Sequence, residues 1–240
     1  MAGPDFIYAV YSAAADTSNL VTPSLSPTPV NGDVLVVKLT TWDTGNPMGA
    51  VSGGAQTYTT RQTAAPGGFN GWSRVVTCTV SGSPGSFAVT GAGTAANSRH
   101  SMVVEHYLAA NGYSLAGTPA VNSTINGAGL PSAAINTVGN GSVLTWSSCD
   151  VASIDPVTRA YLLSGTEDGL FDGHVGANSV QYFAYATVGA AGSYNIGMSA
   201  PGGQTWVMTG VEVLFTTPST PAPPTIVVTP PAALVRASTW

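Results

Sequence analysis

Four short segments of this chain recur in the same order at nearly constant spacing, and this restricts the fold more than any other feature. Asn31-Gly32-Asp33-Val34-Leu35 returns as Asn140-Gly141-Ser142-Val143-Leu144, an offset of 109. Thr22-Pro23-Ser24 returns as Leu130-Pro131-Ser132 at 108. Gly85-Ser86-Phe87-Ala88-Val89 returns as Gly192-Ser193-Tyr194-Asn195-Ile196 at 107, and at that same offset Val104-Glu105-His106-Tyr107-Leu108 falls on Val211-Glu212-Val213-Leu214-Phe215. Offsets that drift by only two residues mark a duplicated unit of about 105 residues, with half-repeats near 6–110 and 113–216.

The repeated segments read as strands. Phe6 to Tyr11, Val34 to Leu39 and Arg74 to Val80 are apolar or β-branched runs bounded by Gly, Pro, Asn and Ser clusters such as Asn31-Gly32-Asp33 and Ser81-Gly82-Ser83-Pro84-Gly85. No segment combines helix caps with a 3.6-residue apolar stripe; Asn97 to Ala110 reads better as a strand from Ser101. Each half then offers about four strands and one apolar face that it cannot bury alone. The expectation is an all-β fold over residues 1–216, a two-sheet antiparallel sandwich of jelly-roll type in which the halves cover each other.

Alternation assigns faces. Leu35, Val37 and Leu39 should point inward with Lys38 outward, and their counterparts are Leu144, Trp146 and Ser148. Val211, Val213 and Phe215 share an inward face, with Glu212 opposite. The repeat then puts Val104, His106 and Leu108 inward, His106 where Val213 sits, and Glu105 outward on Glu212. His106 is expected to be buried and structural.

Composition narrows function. Charged residues are 7% of the chain, Ser and Thr together number 53, and Lys38 is the sole lysine. Six basic residues and a net charge of −5 argue against binding nucleic acid through its phosphates. No apolar run approaches the ~20 residues that span a bilayer. Met1-Ala2-Gly3-Pro4-Asp5 lacks the basic n-region of a secretory signal. Cys78 and Cys149 read as small buried thiols, though their spacing leaves pairing open.

No residue pattern points to catalysis or to a cofactor. His100, His106 and His174 have no metal-ligand spacing, and nucleophile-elbow, Walker and Rossmann motifs are absent from the sequence. The acidic stretch Glu167 to His174 reads as a surface loop rather than a Ca²⁺ site. Glycoside hydrolysis needs two facing carboxylates, which the few acids, mostly in loops, do not suggest. Trp42, Trp72, Tyr113 and Trp206 beside Asn and Asp would suit sugar faces, although sandwiches also pack such rings at their cores. Asn122-Ser123-Thr124 and Asn140-Gly141-Ser142 match the glycosylation pattern but read as turns.

After Thr216 the composition changes. Residues 217–224 form a Pro-rich linker, and residues 225–240 form a C-terminal arm. The arm's run Ile226, Val227, Val228 and its end at Trp240 are the candidate partner-binding residues. They are expected to dock on a neighbouring protein, or else to fold back on an open edge of their own sheet.

The strand Asn31-Gly32-Asp33-Val34-Leu35-Val36-Val37, the loop Pro66-Gly67-Gly68-Phe69-Asn70-Gly71-Trp72 and the second Gly-x-Val-Leu segment at Gly141 to Leu144 carry a resemblance. Together they resemble β-sandwich virion proteins of tailed phages infecting actinobacteria, labelled minor tail or accessory capsid proteins. There a Gly-Asp-x-Leu-Val-Val strand precedes a Pro-x-Gly-Trp loop, of which residues 66–72 are a looser version. The likeness spans residues 6–216. It implies a structural, non-enzymatic virion protein (minor tail or capsid decoration), assembled in the host cytoplasm. Its implied partners are other tail or capsid proteins and further copies of itself, with the arm reaching a neighbouring subunit. The resemblance implies no catalytic residues, cofactor, nucleic acid or membrane. A carbohydrate-binding role in host attachment is the alternative.

Overall fold

A computed structural model describes residues 3–11, 19–42, 48–65, 71–93, 99–116, 121–150, 158–172 and 180–216. They form seventeen strands and two single-turn 3-10 segments. In chain order the strands of the first half are β1 (Phe6–Tyr11), β2 (Leu20–Val21), β3 (Val34–Trp42), β4 (Met48–Ser52), β5 (Thr59–Ala64), β6 (Trp72–Thr79), β7 (Thr90–Gly93) and β8 (Arg99–Tyr107). A short β9 (Tyr113–Ser114) follows. The second half contains β10 (Val121–Gly129), β11 (Ser132–Asn136), β12 (Val143–Asp150), β13 (Ala160–Tyr161), β14 (Thr166–Asp172), β15 (Val180–Thr187), β16 (Ser193–Ala200) and β17 (Gln204–Phe215).

All pairings are antiparallel. The first half has a large sheet in the order β1-β8-β3-β6-β5 and a small one in the order β2-β7-β4. The second has β10-β17-β12-β15-β14 and β11-β16-β13, with β9 added beside β17. Adding nine to each strand number of the first half gives the second.

Local chemistry repeats with the strand order. Asn31 and Asn140 each open a turn whose glycine, Gly32 or Gly141, has positive φ (93° and 72°), where a side chain would be strained. The Asn31 amide oxygen accepts from the Gly82 N–H at 3.1 Å, and Asn140 accepts from the Ala191 N–H at 2.9 Å. The register of β5 on β6 breaks at Arg61, opposite Val76 and Val75. The register of β14 on β15 breaks at Asp168, opposite Ala184 and Phe183. Val76 and Ala184 lie opposite Val37 and Trp146, so the two bulges fall at matching places.

Each half buries a core between its large and small sheets. In the first, Leu35, Val37, Leu39, Val76, Met102 and Val104 pack with Leu20, Phe87 and Val89. In the second, Leu144, Trp146, Ala184 and Met208 pack with Ala133, Ile135 and Ile196. The two large sheets then face each other across a third layer, where Val34, Val36, Val75 and Tyr107 meet Val143, Val211 and Val213. The antiparallel all-β expectation holds. Each half, however, has eight strands rather than four, and its own small sheet covers one face, so four sheets are stacked.

Several finer expectations change. Lys38 and Glu105 do leave the first half's own core, but the face they occupy is the seam between halves, where both are fully buried. Val34 and Val143 match, yet their partners on the neighbouring strand are Tyr107 and Val213. His106 therefore matches Glu212, not Val213, and Glu105 matches Val211. The offset between corresponding strand positions there is one residue shorter than the sequence match, because alignment on the shared Val-Glu pair reverses the face of every residue in β17. Pro23 follows β2 whereas Pro131 precedes β11, so that pair of segments does not coincide either. Asn122-Ser123-Thr124 lies within β10 and not in a turn, and Glu167 to Asp172 belongs to β14.

Candidate functional site

The seam concentrates the chain's polar chemistry. Lys38 sits on β3, directly opposite Val103 of β8, with Glu105 two residues further along β8 on the same face. Its Nζ donates to Glu105 Oε1 at 2.8 Å and to Asp168 Oδ2 at 2.5 Å, and all three side chains have zero exposure. The bulge in β14 is what aims Asp168 across the seam, since an extra residue in one strand redirects its side chain. Thr145 and Tyr107 hydroxyls donate to the two Glu105 oxygens at 2.7 and 2.8 Å. The Phe183 ring lies 5.9 Å from the ammonium.

Burial governs how these groups hold protons. It would lower the Lys38 pKa, but Asp168 and Glu105 reverse that and hold the ammonium above its ordinary value. Burial also pushes Glu105 upward, and the Lys38 charge with three hydrogen bonds brings it below the usual carboxylate range. Asp168 is raised well above that range, chiefly by burial, with the Glu105 charge also opposing its ionisation. These directions favour one ammonium, one carboxylate and one carboxylic acid, an arrangement with no net charge. Burial and Glu105 likewise keep the Tyr107 phenol protonated.

Two other hydroxyl groups bridge the halves. Ser73 Oγ contacts Ser147 Oγ at 2.9 Å and Thr209 Oγ1 at 2.7 Å. Thr40 donates to Gln181 Oε1 at 2.5 Å.

At the surface, a cleft of about 570 Å³ is lined by Asp5, Tyr113, Ser164, Thr166, Tyr185 and Thr187 among others. At its lip Leu163 and Ser164 both have positive φ, 57° and 52°, an unusual pair for residues with side chains. Tyr113 donates its hydroxyl to the Gly3 carbonyl at 2.6 Å, which ties the chain's start to this cleft.

Ile226, Val227, Val228 and Trp240 lie outside the described residues, as do the linker and His174. His106 is fully buried, its Nε2 2.9 Å from Asp33 Oδ2. In the second half the matching pair is Ser142 and Glu212, with Ser142 Oγ donating at 2.5 Å. Each pair ties the entry turn of a central strand to the last strand. Of the aromatics that would suit a sugar, Trp206 is fully buried and Tyr113 nearly so, while Trp72 packs half-buried on the first core. Cys78 and Cys149 are buried free thiols. Among the described residues no group of His, Cys, Asp and Glu is arranged to hold a metal ion. Nor, among the described residues, is any helix long and apolar enough to cross a membrane.

The sequence reading missed the Lys38, Glu105 and Asp168 cluster because a charged residue alternating with valines looks like a solvated face. The available signal was the chain's single lysine in mid-strand, with Ser, Thr and Val rather than further charges at the neighbouring outward positions. No protein-family model matches the chain, and neither a curated protein nor a solved structure is similar to it at a significant level.

Proposed function

We propose that this chain is a structural component of a phage particle, a minor tail or capsid-decoration protein made of two duplicated jelly rolls. The correspondence of strand order, bulge position and asparagine-capped turns supports the duplication. Each half winds as 1-8-3-6 against 2-7-4, the jelly-roll pattern apart from β5, which stays with β6. This architecture serves viral capsids and lectins, and the functional reading rests on that likeness of architecture and on the resemblance at residues 6–216. The observation that carries it furthest is the placement of the ionisable cluster in the dry seam, where it fastens halves together and no substrate reaches it. Particle proteins work through protein contacts, and the arm at 225–240 would provide one.

Truncation after Thr216 tests this. The truncated chain should stay folded yet fail to enter particles in producing cells, whereas the full chain co-purifies with capsid or tail proteins. Absence of the full chain from purified particles would overturn the proposal. Glycan binding is the second reading, favoured only by the cleft that sets Tyr113 and Tyr185 beside Asp5. A glycan array with the purified chain would reveal it.

A further inference from the structure

We propose that Lys38 and Asp168 are joined by an intramolecular amide bond formed with the help of Glu105. The nitrogen lies 2.5 Å from Asp168 Oδ2, and the carboxyl carbon is one C–O bond beyond that oxygen, within reach of the near-attack separation of about 3–3.5 Å. Glu105 Oε1, 2.8 Å from the same nitrogen, is placed to take its proton. Thr145 and Tyr107 fix that carboxylate in position from two sides. Asp168 Oδ1 is buried and has no hydrogen-bond partner among the described residues. An unpaired oxygen there disfavours a carboxylate and suits a neutral carbonyl, that of the acid before the reaction and of the amide after it.

The chemistry closes without any outside reagent. The Lys38 ammonium gives a proton to the Glu105 carboxylate, which leaves an amine and two carboxylic acids, all neutral. The ion pair is the resting arrangement, so this neutral form is reached only transiently, at the start of the reaction. The amine lone pair attacks the Asp168 carboxyl carbon and forms the C–N bond. Glu105 accepts a second proton from nitrogen while returning one to the departing hydroxyl, and the C–O bond breaks. The products are one amide, one water and Glu105 in its acid form. Asp168 must be uncharged for this attack, and burial together with Glu105 favours that form. Exclusion of solvent then protects the amide from hydrolysis. The bond would join β3 of the first half to β14 of the second, 130 residues apart. It would fasten the two sandwiches permanently whether or not the chain belongs to a virion.

Intact-mass measurement on the purified, denatured full chain decides the matter. The expected mass is one water below that of the sequence, and fragmentation should show two peptides joined through Lys38 and Asp168. The denatured chain should also run faster on a gel than Lys38→Arg. Asp168→Asn should still form the bond, now with loss of one ammonia, while Asp168→Ala and Glu105→Gln should keep their full mass. A folded wild-type chain that retains its full mass after prolonged incubation would overturn the proposal. So would a water loss without joined peptides and with cleavage by hydroxylamine, the mark of a succinimide at Asp168-Gly169. The wild-type measurement stands even where a variant fails to fold.

Discussion

Val37 and Val104 face each other across β3 and β8, and the matching pair across β12 and β17 is Trp146 and Gly210. One half fills the space with two medium side chains, the other with one large ring and none. A Cβ on Gly210 would lie 2.2 Å from Ile196 Cδ1, 3.1 Å from the Thr145 carbonyl oxygen and 3.2 Å from Trp146 Cβ. Gly210→Val alone should therefore overpack the second core, at a cost of about 1–3 kcal/mol. Trp146→Val alone empties a fully buried site. Truncation of a buried Trp to Ala costs about 3–5 kcal/mol, and Val keeps part of the volume, so about 2–4 kcal/mol is expected. The loss is eased because the indole N–H is buried without a partner among the described residues. With the ring gone, Ile196 can turn away from the new valine. The double variant should then be more stable than the sum of the singles by about 1–3 kcal/mol, the coupling typical of side chains in contact. Urea unfolding of the four proteins measures this cycle directly. Additive costs, or a double variant worse than additive, would refute both the volume exchange and the matching of halves behind it.

Cys78 and Cys149 should resist alkylation at pH 8 in the native protein and react only on unfolding, as a maleimide time course would show, because burial raises both thiols, Cys78 to about 11. The raised Cys78 value also means a contribution to stability that is present below its ordinary 9.0 and lost as pH rises toward 11, so Cys78→Ala should soften the alkaline fall in melting temperature. Asn31→Ala and Asn140→Ala should each cost about 0.5–1.5 kcal/mol, in similar amounts, by urea midpoint, since each removes one side-chain acceptor for a turn N–H. Burial would raise Glu167, but hydrogen bonds from Arg159 and Tyr161 hold it below its ordinary 4.5. Its contribution is therefore present above pH 4.5 and lost as pH falls, and Glu167→Gln should flatten the acid limb of a thermal-unfolding series.

What the sequence disclosed follows from how each strand is built. The β3 and β12 strands were plain because an Asn-Gly turn leads into valine and leucine, and their place at the centre of each large sheet matches that signal. Two of the small-sheet strands were silent. The β7 strand is Thr-Gly-Ala-Gly and β2 has two residues, so neither has an alternation to detect, and their role is only to cover a core. Asp168 could not be placed, because its direction depends on a bulge and not on the residues around it. The acids were expected mostly in loops, yet Glu105, Glu167, Asp168 and Glu212 are all on strands. That expectation treats a carboxylate as a mark of solvent, which fails when both faces of a sheet are covered.

Two covered faces also explain why the seam is polar at all. A purely apolar seam between two similarly built sheets would hold with many alignments, because valine against valine has no preferred direction and β-sheets slip readily in register. Hydrogen bonds restrict that freedom. Ser73 meets Ser147 and Thr209 only when β6 lies over β12 and β17, and Thr40 meets Gln181 only when β3 lies over β15. Lys38 meets Asp168 only when β3 also lies near β14. Three separate crossings leave one alignment in which these contacts form together, and any shift would strand charges in a dry layer at several kcal/mol each. The same constraint that fixes the alignment holds an amine against a carboxyl group with water excluded. Specific docking of the halves and the proposed amide bond are thus consequences of one arrangement, and the docking must come first.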